Sequence, residues 1–318
     1  MKGLDVMEVL KFMADYTRRT GYPVPAPPGF ASKWSEGLKL RGEGSPRLLF
    51  TGALYQLMPY IGSTVRLLEL AETRGLSSAL EVIRYLAERR PWALAGLVRP
   101  EKEEVDEANR TLRSIASLLQ SSGVDFSYVP WVSDLYSGAL LLDYGIIDAL
   151  EEHAERVSRA IESTGAEEVI TVDPHTTLTL KAYRRLTGLS VKVTSYLELV
   201  RPAGSWSGRA TVHDSCIYAR DLNMSDALRG LLVKAGVQIS EARRHGVRTS
   251  CCGGPIEALS PSTSIRIAKA RASELLEASG TVITMCPICR ANLRRAGISR
   301  IIDISLVLLG HNIKELSA

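Results

Sequence analysis

Apolar residues recur at spacings of three and four in two stretches: Ile147, Leu150, Ala154, Val157 and Ile161, then Ile265, Ala268, Ala272 and Leu275. This spacing lines one face of a helix. Gly165 and Gly280 follow, where glycine ends such helices. Each helix then leads into the same kind of segment. Glu168 to Ala182, EVITVDPHTTLTLKA, and Thr281 to Ala296, TVITMCPICRANLRRA, each begin with a short β-rich run. Each continues with x-Pro and ends in a helical pattern closing on leucine and a basic residue. Two copies of one unit are indicated.

The correspondence extends upstream. SGALLLDYG (Ser137 to Gly145) lies on CGGPIEALS (Cys252 to Ser260), and LLFTGA, ending at Ala53, lies on TVHDSC, ending at Cys216. Strand and helix alternate in each half, which predicts an α/β fold of two pseudosymmetric repeats, each a parallel sheet wrapped by helices. The expected division is an N-terminal arm over 1–45, a cysteine-free repeat over 46–197 and a second repeat over 198–318. The arm combines one amphipathic helix with the extended, proline-rich GYPVPAPPGF, predicted to wrap the surface of the body. The first repeat is longer by about 48 residues, assigned to a helical insertion around 72–119 that serves as a lid of packing helices or as a partner-docking surface.

With 318 residues, 45% of them hydrophobic, the chain can bury a core without disulfide staples. No apolar run is long enough to span a membrane, and MKGLDVMEVLKFMADYTRRTG lacks the apolar stretch of a signal peptide. A cytoplasmic location is therefore expected. The net charge of +4 is spread along the chain, with no basic block interleaved with aromatics, so nucleic acid is not an expected partner. Neither G-x-G-x-x-G nor G-x-x-x-x-G-K-[ST] occurs, which leaves no nucleotide motif.

Cysteine changes this picture. The five cysteines are Cys216, Cys251, Cys252, Cys286 and Cys289, all in the second repeat. An odd number that includes a C-x-x-C, in a reducing compartment, points to metal ligation or redox chemistry before disulfides. On the repeat, each group falls just after a strand or where a helix opens, at the sheet edge where open α/β folds gather ligands. A helix N-terminus favours thiolate over thiol, and Pro287 suits its first turn. Gly253 and Gly254 free the loop to approach a cluster and donate N–H bonds. Four thiolates satisfy tetrahedral zinc and leave one spare, whereas an iron-sulfur cluster can engage all five.

The pattern Cys216, Cys251-Cys252-Gly253, Cys286-Pro287-x-Cys289 resembles the cysteine-rich CCG domain of heterodisulfide reductase B and D subunits and of related glycerol-3-phosphate and lactate dehydrogenase subunits. The resemblance covers Val212 to Ala296 and extends weakly into the first half. It implies one non-cubane [4Fe-4S] cluster per chain, with those five cysteines as cofactor and metal ligands. At the matching first-half positions Ala53, Tyr136, Ser137, Asp173 and Thr176 no cluster is expected. His175, in DPHT, is assigned to a surface or capping role, and Asp143 and Glu257 to structural ones. HDSC departs from the family's His-Asp-Pro-Cys at Ser215; His213 and Asp214 either orient or protonate a leaving thiolate, or cap the following helix.

The implied activity is that of an oxidoreductase subunit acting on a small-molecule disulfide or thiol. No ferredoxin-type cysteine run is present, so electrons would come from a ferredoxin-like iron-sulfur or flavoprotein subunit. Such a partner would also account for any peripheral membrane association. Two alternatives remain open: an electron-relay subunit of a lactate or glycerol-3-phosphate type dehydrogenase, and a zinc-stabilised, non-catalytic scaffold.

Overall fold

The computed structural model describes residues 6–74, 91–96 and 98–311. The middle of the insertion expected around 72–119 therefore lies outside the described residues. Helix α1 (Val6–Thr20) precedes strand β1 (Arg47–Phe50), helix α2 (Leu54–Arg74), helix α3 (Lys102–Ser121), helix α4 (Ile147–Ser163), β2 (Glu168–Thr171), helix α5 (Pro174–Leu186) and β3 (Lys192–Ser195). The second half contributes β4 (Gly208–His213), helix α6 (Ser225–Lys234), β5 (Val237–Ile239), helix α7 (Pro261–Ala278), β6 (Val282–Thr284), helix α8 (Pro287–Arg295) and β7 (Ile301–Asp303).

The strands form two parallel sheets, ordered β1-β2-β3 and β5-β4-β6-β7. The protein is thus an α/β fold of two repeats, as the alternating pattern predicts. A single parallel bridge, Leu48 to Ser127, occupies on β1 the place that β5 occupies on β4. Helix α3 leads into that bridge as α6 leads into β5. Register makes the equivalence explicit. Phe50, Thr171 and Ser195 end the first sheet side by side, and His213, Thr284 and Asp303 end the second.

The halves share one core. Leu49, Tyr55, Ile170 and Tyr196 pack in the same buried cluster as Val212, Tyr218, Ile283 and Leu306, with Leu112, Ile115 and Leu119 of α3 filling it. Two hydrogen bonds cross between halves in a related way. The Tyr55 hydroxyl donates to Asp303 Oδ2 at 2.6 Å, and the Tyr218 hydroxyl lies 2.8 Å from Ser195 Oγ. Each tyrosine thus reaches the residue that ends the outer strand of the opposite sheet.

The arm does more than wrap the surface. Trp34 is fully buried, stacks edge-on against Tyr128 and donates from Nε1 to Asp134 at 3.2 Å. Asp134 also accepts from Thr51 Oγ1 at 2.9 Å and from the Tyr128 hydroxyl. The proline-rich stretch is itself drawn in, with Val24, Ala26 and Phe30 buried in a core cluster.

Replacing Tyr55 with Phe leaves Asp303 Oδ2 without its donor and should lower unfolding free energy in urea by about 1–3 kcal/mol. Burial raises the Asp134 pKa to about 6, against the smaller opposing effect of its three donors. The folded chain therefore keeps this proton to higher pH than the unfolded chain. The stabilisation is complete below about pH 4 and lost as pH rises through about 6. Urea midpoints between pH 4 and 7 should decline less steeply in Asp134→Asn than in the parent.

Candidate metal centre

All five cysteines are free thiols, brought together by three segments at the C-terminal edge of the second sheet. Cys216 opens the wide helical turn Ile217–Asp221 after β4, Cys251 and Cys252 lie in the loop before α7, and Cys286 and Cys289 begin α8 after β6. The sulfurs form a chain of hydrogen-bond contacts running Cys251, Cys252, Cys289, Cys286. Cys216 is close enough that charge on Cys286 and Cys252 acts on it. Cys252, Cys286 and Cys289 are buried, Cys216 is half-buried and Cys251 is exposed, so the group opens to solvent at one edge.

The backbone around these sulfurs is shaped to hold them. Cys286 stands at the N-cap of α8, its Sγ accepting from the Cys289 amide at 3.5 Å, with Pro287 in the first turn. The amides of Gly253 and Gly254 point at the sulfurs of Cys251 and Cys252, at 3.2 and 3.4 Å. Gly253 has φ 78°, and a Cβ there would lie 2.6 Å from the Ser264 carbonyl oxygen; a Cβ on Gly254 would lie 2.2 Å from Ile288 Cγ2. Asn292 of α8 ties the loop down by donating from Nδ2 to the Cys252 carbonyl oxygen at 2.5 Å. Ser264 of α7 donates to the Gly253 carbonyl oxygen at 2.8 Å.

Electrostatics divides the thiols. The Cys251 and Cys289 thiols are pushed up: Cys251 by its contact with Cys252 and then by burial, Cys289 by contacts with Cys252 and Cys286. Cys252 is pulled down by hydrogen bonds from Cys251 and Cys289, with His213 adding to the effect. Burial opposes ionisation of Cys286, yet Cys289 and His175 together outweigh it and lower the thiol. These contacts thus favour the thiolate at Cys252 and Cys286 and the thiol at Cys251 and Cys289. Full ionisation of so many adjacent thiols requires positive charge in their midst.

The structure also corrects the expectation for His175. Far from being a surface or capping residue, it is almost fully buried at the start of α5 and contacts Cys286 across the boundary between halves. Its Nδ1 lies 2.8 Å from Asp143 Oδ2, an ion-pair contact without good hydrogen-bond alignment. Burial disfavours the charged ring, but Asp143 and Cys286 outweigh it and raise the His175 pKa. Asp143 thus has an electrostatic role as well as a structural one. Glu257 is buried against Arg295, with Nη1 to Oε2 at 3.0 Å, and burial raises its pKa to about 7.

His213 and Asp214 diverge from the end of β4. The His213 ring is buried, with a ring nitrogen within 4.8 Å of the sulfurs of Cys252 and Cys289. Asp214 turns away into a bidentate pair with Arg229, at 2.8 and 3.0 Å, and accepts from the Gly246 amide at 2.8 Å. Neither side chain caps the following turn.

Where the second repeat has thiols, the first has oxygen, except at Ala53, the counterpart of Cys216. Asp173 caps α5 as Cys286 caps α8, accepting from the Thr176 amide at 2.9 Å. Ser137 and Thr176, at the positions of Cys252 and Cys289, lie 3.2 Å apart through their hydroxyls.

Residues 210–294 match the family model described as the CCG cysteine-rich domain. This segment is a CCG domain. It contains all five thiols and, in His213, Arg271 and Asn292, the polar residues around them. The chain is also 28% identical to a probable membrane-anchored ferredoxin of Chromohalobacter salexigens, over 58% of its own length and 30% of that protein's. It thus spans less than a third of that relative. An aspartate racemase homologue from Pyrococcus horikoshii aligns over 65% of this chain and 92% of its own, with 10% identity and a TM-score of 0.25, below the level of a shared fold. No helix among the described residues is long and apolar enough to cross a membrane.

The loop geometry predicts that the CCG domain will not tolerate a side chain behind its adjacent cysteines. Gly254→Ala forces Ile288 aside and should cost about 1–3 kcal/mol in chemical unfolding. Gly253→Ala adds left-handed backbone strain to a backbone clash and should cost more.

Proposed function

We propose that the CCG domain holds one iron-sulfur cluster on Cys216, Cys251, Cys252, Cys286 and Cys289, in a subunit of a heterodisulfide-reductase-like complex. The observation that carries this reading is the convergence of five free thiols, three of them buried, at one sheet edge. The donor set fits such a group: soft sulfurs, amide N–H groups aimed at them, and an opening beside Cys251 and Cys216. A cluster of the non-cubane [4Fe-4S] type would employ all five sulfurs, whereas tetrahedral zinc would leave one over.

When bound, the cluster supplies one-electron redox chemistry next to sulfur. The residues of the chain set where that chemistry is met. Gly253 and Gly254 bring the loop close and donate N–H bonds, Asn292 and Ser264 fix it, and His175 with Asp143 closes the Cys286 side from the opposite repeat. A small-molecule disulfide would enter at the open edge. Its S–S bond breaks as two electrons and two protons arrive, giving two thiols; the reverse consumes two thiols and returns the electrons. A separate iron-sulfur or flavoprotein subunit would donate or accept those electrons. In this reading the subunit is cytoplasmic and meets a membrane only through that partner.

The ferredoxin relative favours a second reading, in which the cluster relays electrons for a dehydrogenase of the lactate or glycerol-3-phosphate type and touches no disulfide. Both readings share one first test. Anaerobic reconstitution, followed by iron, zinc and acid-labile sulfide analysis and electron paramagnetic resonance after oxidation with thiol present, should give iron and sulfide in about equal amounts. Cys252→Ala should abolish the signal. Stoichiometric zinc without sulfide, unchanged in Cys252→Ala, would replace both readings with a zinc scaffold. Disulfide-dependent reoxidation of the reduced protein separates the reductase from the relay.

A further inference from the structure

The His213 ring lies between two unlike neighbours. On one side Nδ1 accepts a hydrogen bond from Arg271 Nε at 3.2 Å. On the other side Nε2 is buried and makes no hydrogen bond, while a nitrogen of the ring lies within 4.8 Å of the sulfurs of Cys252 and Cys289. Arg271 is itself immobilised. Its side chain is fully buried, donates to the Arg244 carbonyl oxygen at 2.9 Å and to Thr249 Oγ1 at 3.3 Å, and pairs with Glu274 at 3.0 Å.

A guanidinium carries five N–H groups and no lone pair. Nδ1 must therefore present its lone pair to Arg271, which leaves the ring proton on Nε2. By composition, His213, Cys252 and Cys289 could be part of a zinc site. A ligating ring, however, needs the Nε2 lone pair, and the proton would then sit on Nδ1 against the arginine N–H. Ligating histidines normally donate their other nitrogen to a carboxylate or carbonyl instead.

We infer that Arg271 locks His213 in its Nε2–H tautomer, making it an N–H···S donor to Cys252 and not a metal ligand. The inference rests on the cluster reading only for its consequence. A donor to a ligand sulfur draws off negative charge and favours the reduced, more negative cluster, so His213 raises the reduction potential.

The tautomer is tested on metal-free protein labelled with ¹⁵N-histidine, by long-range proton–nitrogen correlation, with His213→Gln assigning the resonances. The expected result is a protonated Nε2 and an unprotonated Nδ1, with Arg271→Met relaxing that preference. A proton on Nδ1 in the parent protein would overturn the inference. The consequence is tested by redox titration after reconstitution. The Gln side chain keeps an N–H at the Nε2 position, so His213→Gln should keep its iron and a potential near the parent's. His213→Leu should keep iron with a lower potential. Loss of iron from both variants, or a potential unchanged in His213→Leu, would count against N–H···S donation. If the parent protein takes up no iron, the cluster reading fails, while the metal-free spectra still decide the tautomer.

Discussion

Adjacent buried thiolates repel one another, and much of the second half is arranged around that fact. Contacts from neighbouring thiols and from the two histidines favour ionisation of Cys252 and Cys286. A helix N-terminus begins at Cys286, and glycine amides are directed at Cys251 and Cys252. Ionising the other sulfurs as well would require positive charge among them. The side chains behind them, Asn292, Ser264 and the clamped Arg271, keep the loops in place so that the sulfurs cannot relieve their repulsion by moving apart.

The first repeat shows the same scaffold without that constraint. Oxygen in place of sulfur converts a ligand pocket into an ordinary hydrogen-bonded corner, with Asp173 as an N-cap and Ser137 against Thr176. Hard hydroxyls at these spacings have little affinity for soft metals. The half has nonetheless kept a connection to the sulfurs, because the start of α5 carries His175 to Cys286. Opposite groups stand behind the two histidines near the sulfurs: a carboxylate behind His175 and a guanidinium behind His213.

The repeat, its parallel sheets and the clustering of the cysteines were legible because they depend on local period and on equivalent positions in two copies. Asp173, Ser137 and Thr176 could be paired with Cys286, Cys252 and Cys289 by alignment alone. What the chain did not disclose depends on contacts distant in sequence. Nothing near DPHT says that His175 crosses to Cys286, and nothing near Arg271 in α7 says that its guanidinium meets a histidine on β4. Trp34 was hidden for the same reason: a proline-rich arm looks like a surface strap until its indole finds Asp134, a hundred residues away. Asp214, next to His213 in sequence, was indistinguishable from it until strand geometry sent the two side chains in different directions.

The shared core explains why a repeat without cysteines persists. Ile283 and Met285 of the cysteine-bearing half are buried in the same cluster as Ile170, Val172 and Tyr196 of the other. Cutting the gene between the repeats would not release a smaller working module. It would expose an apolar wall, sever both tyrosine bridges and remove the histidine beside Cys286.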